Sequence, residues 1–128
     1  MIPVIRESKA VLFDLFHTLV SFTALRIPGR NTSEILGVDP SAWDDVVFNH
    51  SDDRLRGTIS DPVEILDDLA GKVQPGIDPV IIEQAARSRA ERFKHCLRKA
   101  SPATVAVLQE LRAGGKKTGL VSNADYPE

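Results

Sequence analysis

Cysteine is almost missing from this chain: Cys96 stands alone among 128 residues. An intrachain disulfide is therefore impossible, a cysteine-based zinc site has too few ligands, and a reducing cytoplasm is the expected location. An excess of one charge is also lacking. Lys and Arg total 16 against 18 Asp and Glu, so no basic surplus can neutralise a row of phosphates, and no nucleic-acid partner is expected. Long apolar runs are absent too. The stretch Ala10 to Val20 is broken by Asp14 and His17 and falls short of the about 20 apolar residues that cross a bilayer. No membrane partner is expected, and the N-terminus shows no basic leader followed by an apolar core. The chain carries no internal sequence repeat and no low-complexity segment.

What remains is an ordinary globular composition, 42% hydrophobic and 27% charged, enough for one domain or a core with an insertion. Lys9 to Asp14 is a short apolar run ending in an acid, which reads as a strand buried on both faces. Lys117 to Ser122 is a second such run, ending in the small polar pair Ser122-Asn123. Met1 to Ser8 reads as a loose lead-in.

Between the strands one helix-opening signal recurs: Asp39-Pro40, Asp61-Pro62, Asp78-Pro79 and Ser101-Pro102. Each sets a capping oxygen before a proline whose missing N–H has no intrahelical partner to lose, so four helices are expected. Glu64, three residues after Asp61, resembles a capping box, and Gly71 is expected to stop that helix. The longest helix is expected from Pro79 to Lys99, with Ile82, Ala86, Ala90, Phe93 and Leu97 on one face. Its other face is basic and thickens toward Arg98 and Lys99, which reads as a solvated surface with an anion-binding surface as the alternative. The helix after Ser101-Pro102 stops at Gly114-Gly115 and feeds the second strand, the αβ half of a parallel βαβ unit. A short helix within Asn31 to Gly37 and core contacts from Trp43, Val46 and Val47 complete the reading. The resulting fold class is α/β, a partial Rossmann-like parallel sheet with a helical insertion after the first strand. Residues 1–18 and 100–128 form the partial core and residues 19–99 the helical cap.

Asp14 carries the most chemical information. It lies in Val11-Leu-Phe-Asp-Leu-Phe16, where a carboxylate among apolar neighbours is expected to be desolvated at a cost of several kcal/mol. At the tip of a parallel strand it would face the ligand crevice as a nucleophile, a metal ligand or both. An Asp that merely caps the turn is the plainer alternative.

Phe13-Asp14-Leu-Phe-His-Thr18-Leu-Val resembles the first motif of the haloacid dehalogenase superfamily of hydrolases, a strand ending in Asp-x-Asp-x-Thr. Gly119-Leu-Val-Ser122-Asn123 is similar to that family's second motif, and a helical insertion just after the first motif is similar to its type I cap subgroup. The resemblance implies a catalytic Asp14 that attacks a small anionic substrate and becomes a covalent aspartyl intermediate. It implies substrate binding by Thr18, Ser122 and Asn123, and a magnesium ion held by Asp14 and the backbone carbonyl of Phe16. Phosphate-monoester hydrolysis is the expected reaction, because phosphatases dominate the family. Phe16, however, stands where the phosphatase motif has its second Asp, the general acid and base. The family's dehalogenases carry an aromatic residue there, so carbon–halogen hydrolysis of a 2-haloacid, without a metal, is the alternative. His17 stands beside the motif as a second source of a proton or as a structural residue. Arg26 and Arg30 follow soon after, and nothing in the spacing selects either as a halide ligand.

The family's later motifs, a lysine and an acidic pair, are not found before Glu128. The sequence therefore reads as the N-terminal part of a longer protein, expected to bind magnesium weakly and to be a poor catalyst as the isolated chain. A non-catalytic remnant or binding module is the rival reading. A third is a chain completed by a partner or by self-association through an uncovered sheet edge.

Overall fold

The computed structural model describes residues 3–20 and 29–122. The protein is mixed α/β. Its elements in chain order are α1 Pro3–Glu7, β1 Ala10–Phe13, α2 Thr32–Leu36, α3 Pro40–Asn49, α4 Asp52–Leu55, α5 Pro62–Val73, α6 Pro79–Leu97, α7 Pro102–Ala113 and β2 Lys117–Leu120. The described residues fall into two compact units, those of 1–27 with 95–122 and those of 28–94. The first holds both strands and the second is helical.

The four proline-led helices open at the residues whose chemistry fits the cap. Asp39 accepts from the amide of Ala42 at 2.9 Å, Asp61 from Val63 and Glu64 at 2.9 and 3.0 Å, and Asp78 from Val80 at 2.9 Å. Ser101 Oγ accepts from the amide of Thr104 at 3.1 Å. Each oxygen satisfies first-turn donors that the helix itself cannot. In the helical unit, Leu36, Trp43, Ile65, Leu66, Leu69, Ala70, Ile82, Ala85 and Ala86 form the core. Val46 and Val47 pack against it, as the sequence led us to expect. Arg54 of α4 turns its guanidinium back onto the C-terminal end of α3, donating to the carbonyls of Val47 at 2.7 Å and His50 at 2.9 Å.

Several expectations are corrected. Gly71 does not end α5, which runs on to Val73 and turns instead around Gly76 at φ +82. Val73 packs against the core, and that burial offsets the roughly 1 kcal/mol a mid-helix glycine costs. The lead-in is not loose throughout, since α1 occupies Pro3–Glu7. In α6 the buried stripe passes through Ala85 and Cys96, both fully enclosed, whereas Leu97 is half-exposed and ends the helix. Burial pushes the Cys96 thiol above its usual range, which keeps it protonated and unreactive at neutral pH.

In the strand unit, β1 and β2 pair in parallel, Ala10 opposite Lys117 and Phe13 opposite Leu120. Gly115, at φ +73, turns the chain from α7 into β2. Lys116 then donates from Nζ to the carbonyls of Arg6 and Ser8, both at 2.6 Å, and the amide of Lys117 donates to the carbonyl of Lys9 at 3.1 Å. At Gly119 a Cβ would lie 2.7 Å from Leu12 Cδ2, the far end of an exposed, flexible side chain that can turn aside. The expectation that β1 is buried on both faces fails: Val11 and Phe13 are half-buried, but Leu12 is 70% exposed. Two strands and the described helices do not enclose both sides of the ladder, so apolar content alone overstated its burial.

Candidate functional site

The site is set by where the parallel ladder ends. Beyond the Phe13–Leu120 pair, the amide of Val121 still donates to the carbonyl of Phe13 at 2.9 Å. Asp14 and Ser122 therefore leave the sheet at the same edge, the C-terminal one, within a residue of each other in register. In parallel sheets this edge carries ligand sites, because each strand there passes into a loop instead of pairing on.

After Asp14 the chain folds into a tight loop tied by its own backbone. The carbonyl of Leu15 accepts from the amides of Leu19 at 2.9 Å and Val20 at 3.1 Å, and the amide of His17 donates to the carbonyl of Val20 at 2.7 Å. Leu15 and Val20 are the buried anchors of this loop. Closing it puts His17 at φ +60, in the left-handed region that favours glycine. Strain of this kind persists where the surroundings fix it. The loop brings Thr18 back toward the strand tip, where its hydroxyl donates to Asp14 Oδ2 at 3.4 Å, a long bond.

The expectation of a desolvated Asp14 is corrected: the residue is exposed. β1 ends one residue earlier, and Leu12 is turned to solvent, so the flanking apolar residues do not wall the carboxylate in. The argument from the cost of burial therefore falls. Asp14 stands on its position and on its bond with Thr18. Ser122 differs. Its Oγ is shielded from solvent and meets no hydrogen-bond partner among the described residues. A shielded, unsatisfied hydroxyl costs about 1–3 kcal/mol, which a ligand oxygen would recover. Asn123 and Arg26 lie outside the described residues. Arg30 is in the helical unit, where its Nη2 donates to the carbonyl of Glu34 at 2.8 Å.

For magnesium, the expected donors are the Asp14 carboxylate and the Phe16 carbonyl. Among the described residues no three His, Cys, Asp or Glu side chains gather as a metal site. Two protein donors leave most of a near-octahedral shell to water and substrate oxygens, which suits weak binding only.

Two concavities adjoin the loop within the strand unit. One, of about 610 Å³, is lined by His17 to Val20 and by Arg98 to Pro102 with Thr104. The other, of about 260 Å³, is lined by Phe13, Thr18, Leu19 and the first turns of α7. The sequence offers Arg98 and Lys99 only as the end of a basic helix face, a solvated surface with an anion-binding surface as the alternative, and Ser101 only as a helix cap. Thr104 escapes the sequence reading altogether.

Comparison with family models, with curated proteins and with solved structures found no match. Among the described residues, no helix is long and apolar enough to cross a membrane.

Proposed function

We propose that this chain is the nucleophile-bearing part of a haloacid dehalogenase-like hydrolase, with a partial Rossmann-like core and a type I helical cap. It would act on a small anionic substrate through a covalent intermediate on Asp14. The observation that carries the reading is one sheet edge that presents Asp14, a hydroxyl bonded to it from Thr18, and the unpartnered hydroxyl of Ser122. In this reading Asp14 Oδ attacks the substrate and Ser122 donates to an oxygen of the anion. Thr18 holds the carboxylate so that one oxygen stays aimed at the crevice. The exposure of Asp14 leaves it reachable. The helical unit is assigned the cap role by its order along the chain, inserted between the two strands.

Phosphate-monoester hydrolysis is the first chemistry of this site. Asp14 bonds to phosphorus, the P–O bond to the alkoxide breaks, and the alkoxide takes a proton from solvent water. Water then cleaves the acyl-phosphate and restores the carboxylate. A specific observation favours a second chemistry. Phe16 cannot supply the proton, whereas halide leaves without one, so a 2-haloacid would be opened by the same carboxylate through an ester later hydrolysed by water. Magnesium would serve the phosphatase alone, and the described donors suit weak binding only.

The test is to incubate the chain with p-nitrophenyl phosphate and with 2-chloropropionate, following phosphate and chloride release and the intact mass. Turnover of one of them, with an adduct mapped to Asp14 and a loss on the order of 10³-fold or more in Asp14→Asn, supports the reading. Turnover that survives in Asp14→Asn overturns it. Because the isolated chain is expected to be a poor catalyst, the covalent adduct and not the rate of turnover decides: no adduct at Asp14 leaves the rival, a non-catalytic binding module in which Asp14 is a turn residue.

A further inference from the structure

The larger cavity combines positive charge with hydroxyl groups. Arg98 and Lys99 lie side by side on its wall, together with the hydroxyls of Thr18, Ser101 and Thr104 and the imidazole of His17. No carboxylate lines it. Three cations of α5 and α6 do meet an acid one turn away: Lys72 meets Asp68, Arg87 meets Glu83 at 3.2 Å and Lys94 meets Glu91 at 3.1 Å. Among the described residues, neither Arg98 nor Lys99 meets an acid. Two adjacent like charges repel, and their neutralisation by an anion is favourable.

The hydroxyls add direction. Ser101 Oγ and Thr104 Oγ1 are 2.9 Å apart, and Ser101 Oγ also accepts from the amide of Thr104. One hydroxyl proton serves their mutual bond. The other remains free to donate to a ligand oxygen. Among the described residues, the amide of Ala103 in the first turn of α7 has no acceptor either, and that end of a helix carries partial positive charge.

We propose that this cavity is an anion site that takes a phosphate or carboxylate group of a small molecule. Arg98 and Lys99 supply charge, and the hydroxyls of Ser101 and Thr104 supply oriented donors. Binding here does not depend on Asp14 being a nucleophile. Where that reading holds, Thr18 touches both places, and the substrate would carry one anionic group at Asp14 and a second in this cavity. At about 610 Å³, the space is ample for a small molecule.

The experiment is a titration of the chain with inorganic phosphate and, separately, with malonate at fixed ionic strength, read by backbone amide shifts. Saturable shifts confined to residues 17–20 and 98–104, weakened tenfold or more in Arg98→Gln/Lys99→Gln, are expected. The better of the two probes identifies the group taken. The variant Arg87→Gln/Lys94→Gln removes the same charge elsewhere and is expected to bind as the wild type does. Equal weakening in both variants would reduce the effect to general charge and overturn the site, as would shifts that never saturate. Asp14→Asn is expected to bind phosphate in this cavity at least as tightly as the wild type. If Asp14→Asn loses turnover while Arg98→Gln/Lys99→Gln binds unchanged, the cavity inference fails and the nucleophile reading survives. The reverse pattern sinks the nucleophile and leaves the cavity.

Discussion

The helical unit and the strand unit are built on different terms. Residues 28–94 hold a contiguous core in which Ile65, Leu66 and Ile82 are each at most 2% exposed. The strand unit encloses Leu15, Val20, Cys96 and Leu111, while Leu12, Leu120 and Val121 on its ladder stand in solvent. Burial stabilises the first. The second spends its sequence on backbone ties, a strained loop, and polar side chains at one sheet edge. The proposed chemistry therefore lies in the unit with the thinner apolar support, as expected where side chains must remain accessible to a ligand.

The difference is sharpest in matched truncations. Leu66→Ala is expected to destabilise the protein by about 2–5 kcal/mol, because it empties space in a closed core. Leu12→Ala, at 70% exposure, is expected to shift stability by less than about 0.5 kcal/mol. Urea unfolding of the two variants checks both, and comparable losses would break the contrast.

A smaller effect probes a close approach within the ladder. Gly119→Val meets the tip of Leu12, which can swing into solvent, and is expected to cost about 1 kcal/mol at most. The double variant Gly119→Val/Leu12→Ala is expected to recover most of it, since Leu12 is the obstacle. Absence of recovery in the double-variant cycle would move the cost to the backbone.

The last expected effect is a gain. His17→Gly relieves a left-handed residue and is expected to raise stability by up to about 1 kcal/mol, seen as a higher midpoint in thermal unfolding. If the strain serves the site, the same variant loosens the Thr18–Asp14 contact and weakens turnover where turnover is found.

The sequence made the helix starts legible because a cap is a local event: Asp or Ser before Pro satisfies its own helix whatever lies around it. The parallel pairing of Ala10 to Phe13 with Lys117 to Leu120 was legible for a related reason, since a helix running through Gly114-Gly115 into an apolar run leaves few alternatives. Burial was less so. Leu12 and Asp14 look enclosed in a string of apolar letters, but enclosure depends on what covers each face. Gly71 misled because burial of Val73 outweighs local propensity. At the site, Asp14, Thr18 and Ser122 could be named from motif order. Thr104 could not, and Arg98 and Lys99 stood only as the end of a basic face with an anion-binding alternative, because only the turn from α6 into α7 sets them facing the 17–20 loop around one cavity.

The bonds from Lys116 to the carbonyls of Arg6 and Ser8 join groups 110 and 108 positions apart. Every ladder bond between β1 and β2 shares that remoteness, so none forms until more than a hundred intervening residues have been made and the two distant segments have met. Assembly of the sheet edge should therefore be a late and slow event on the route to the native state, well after the local helices have condensed.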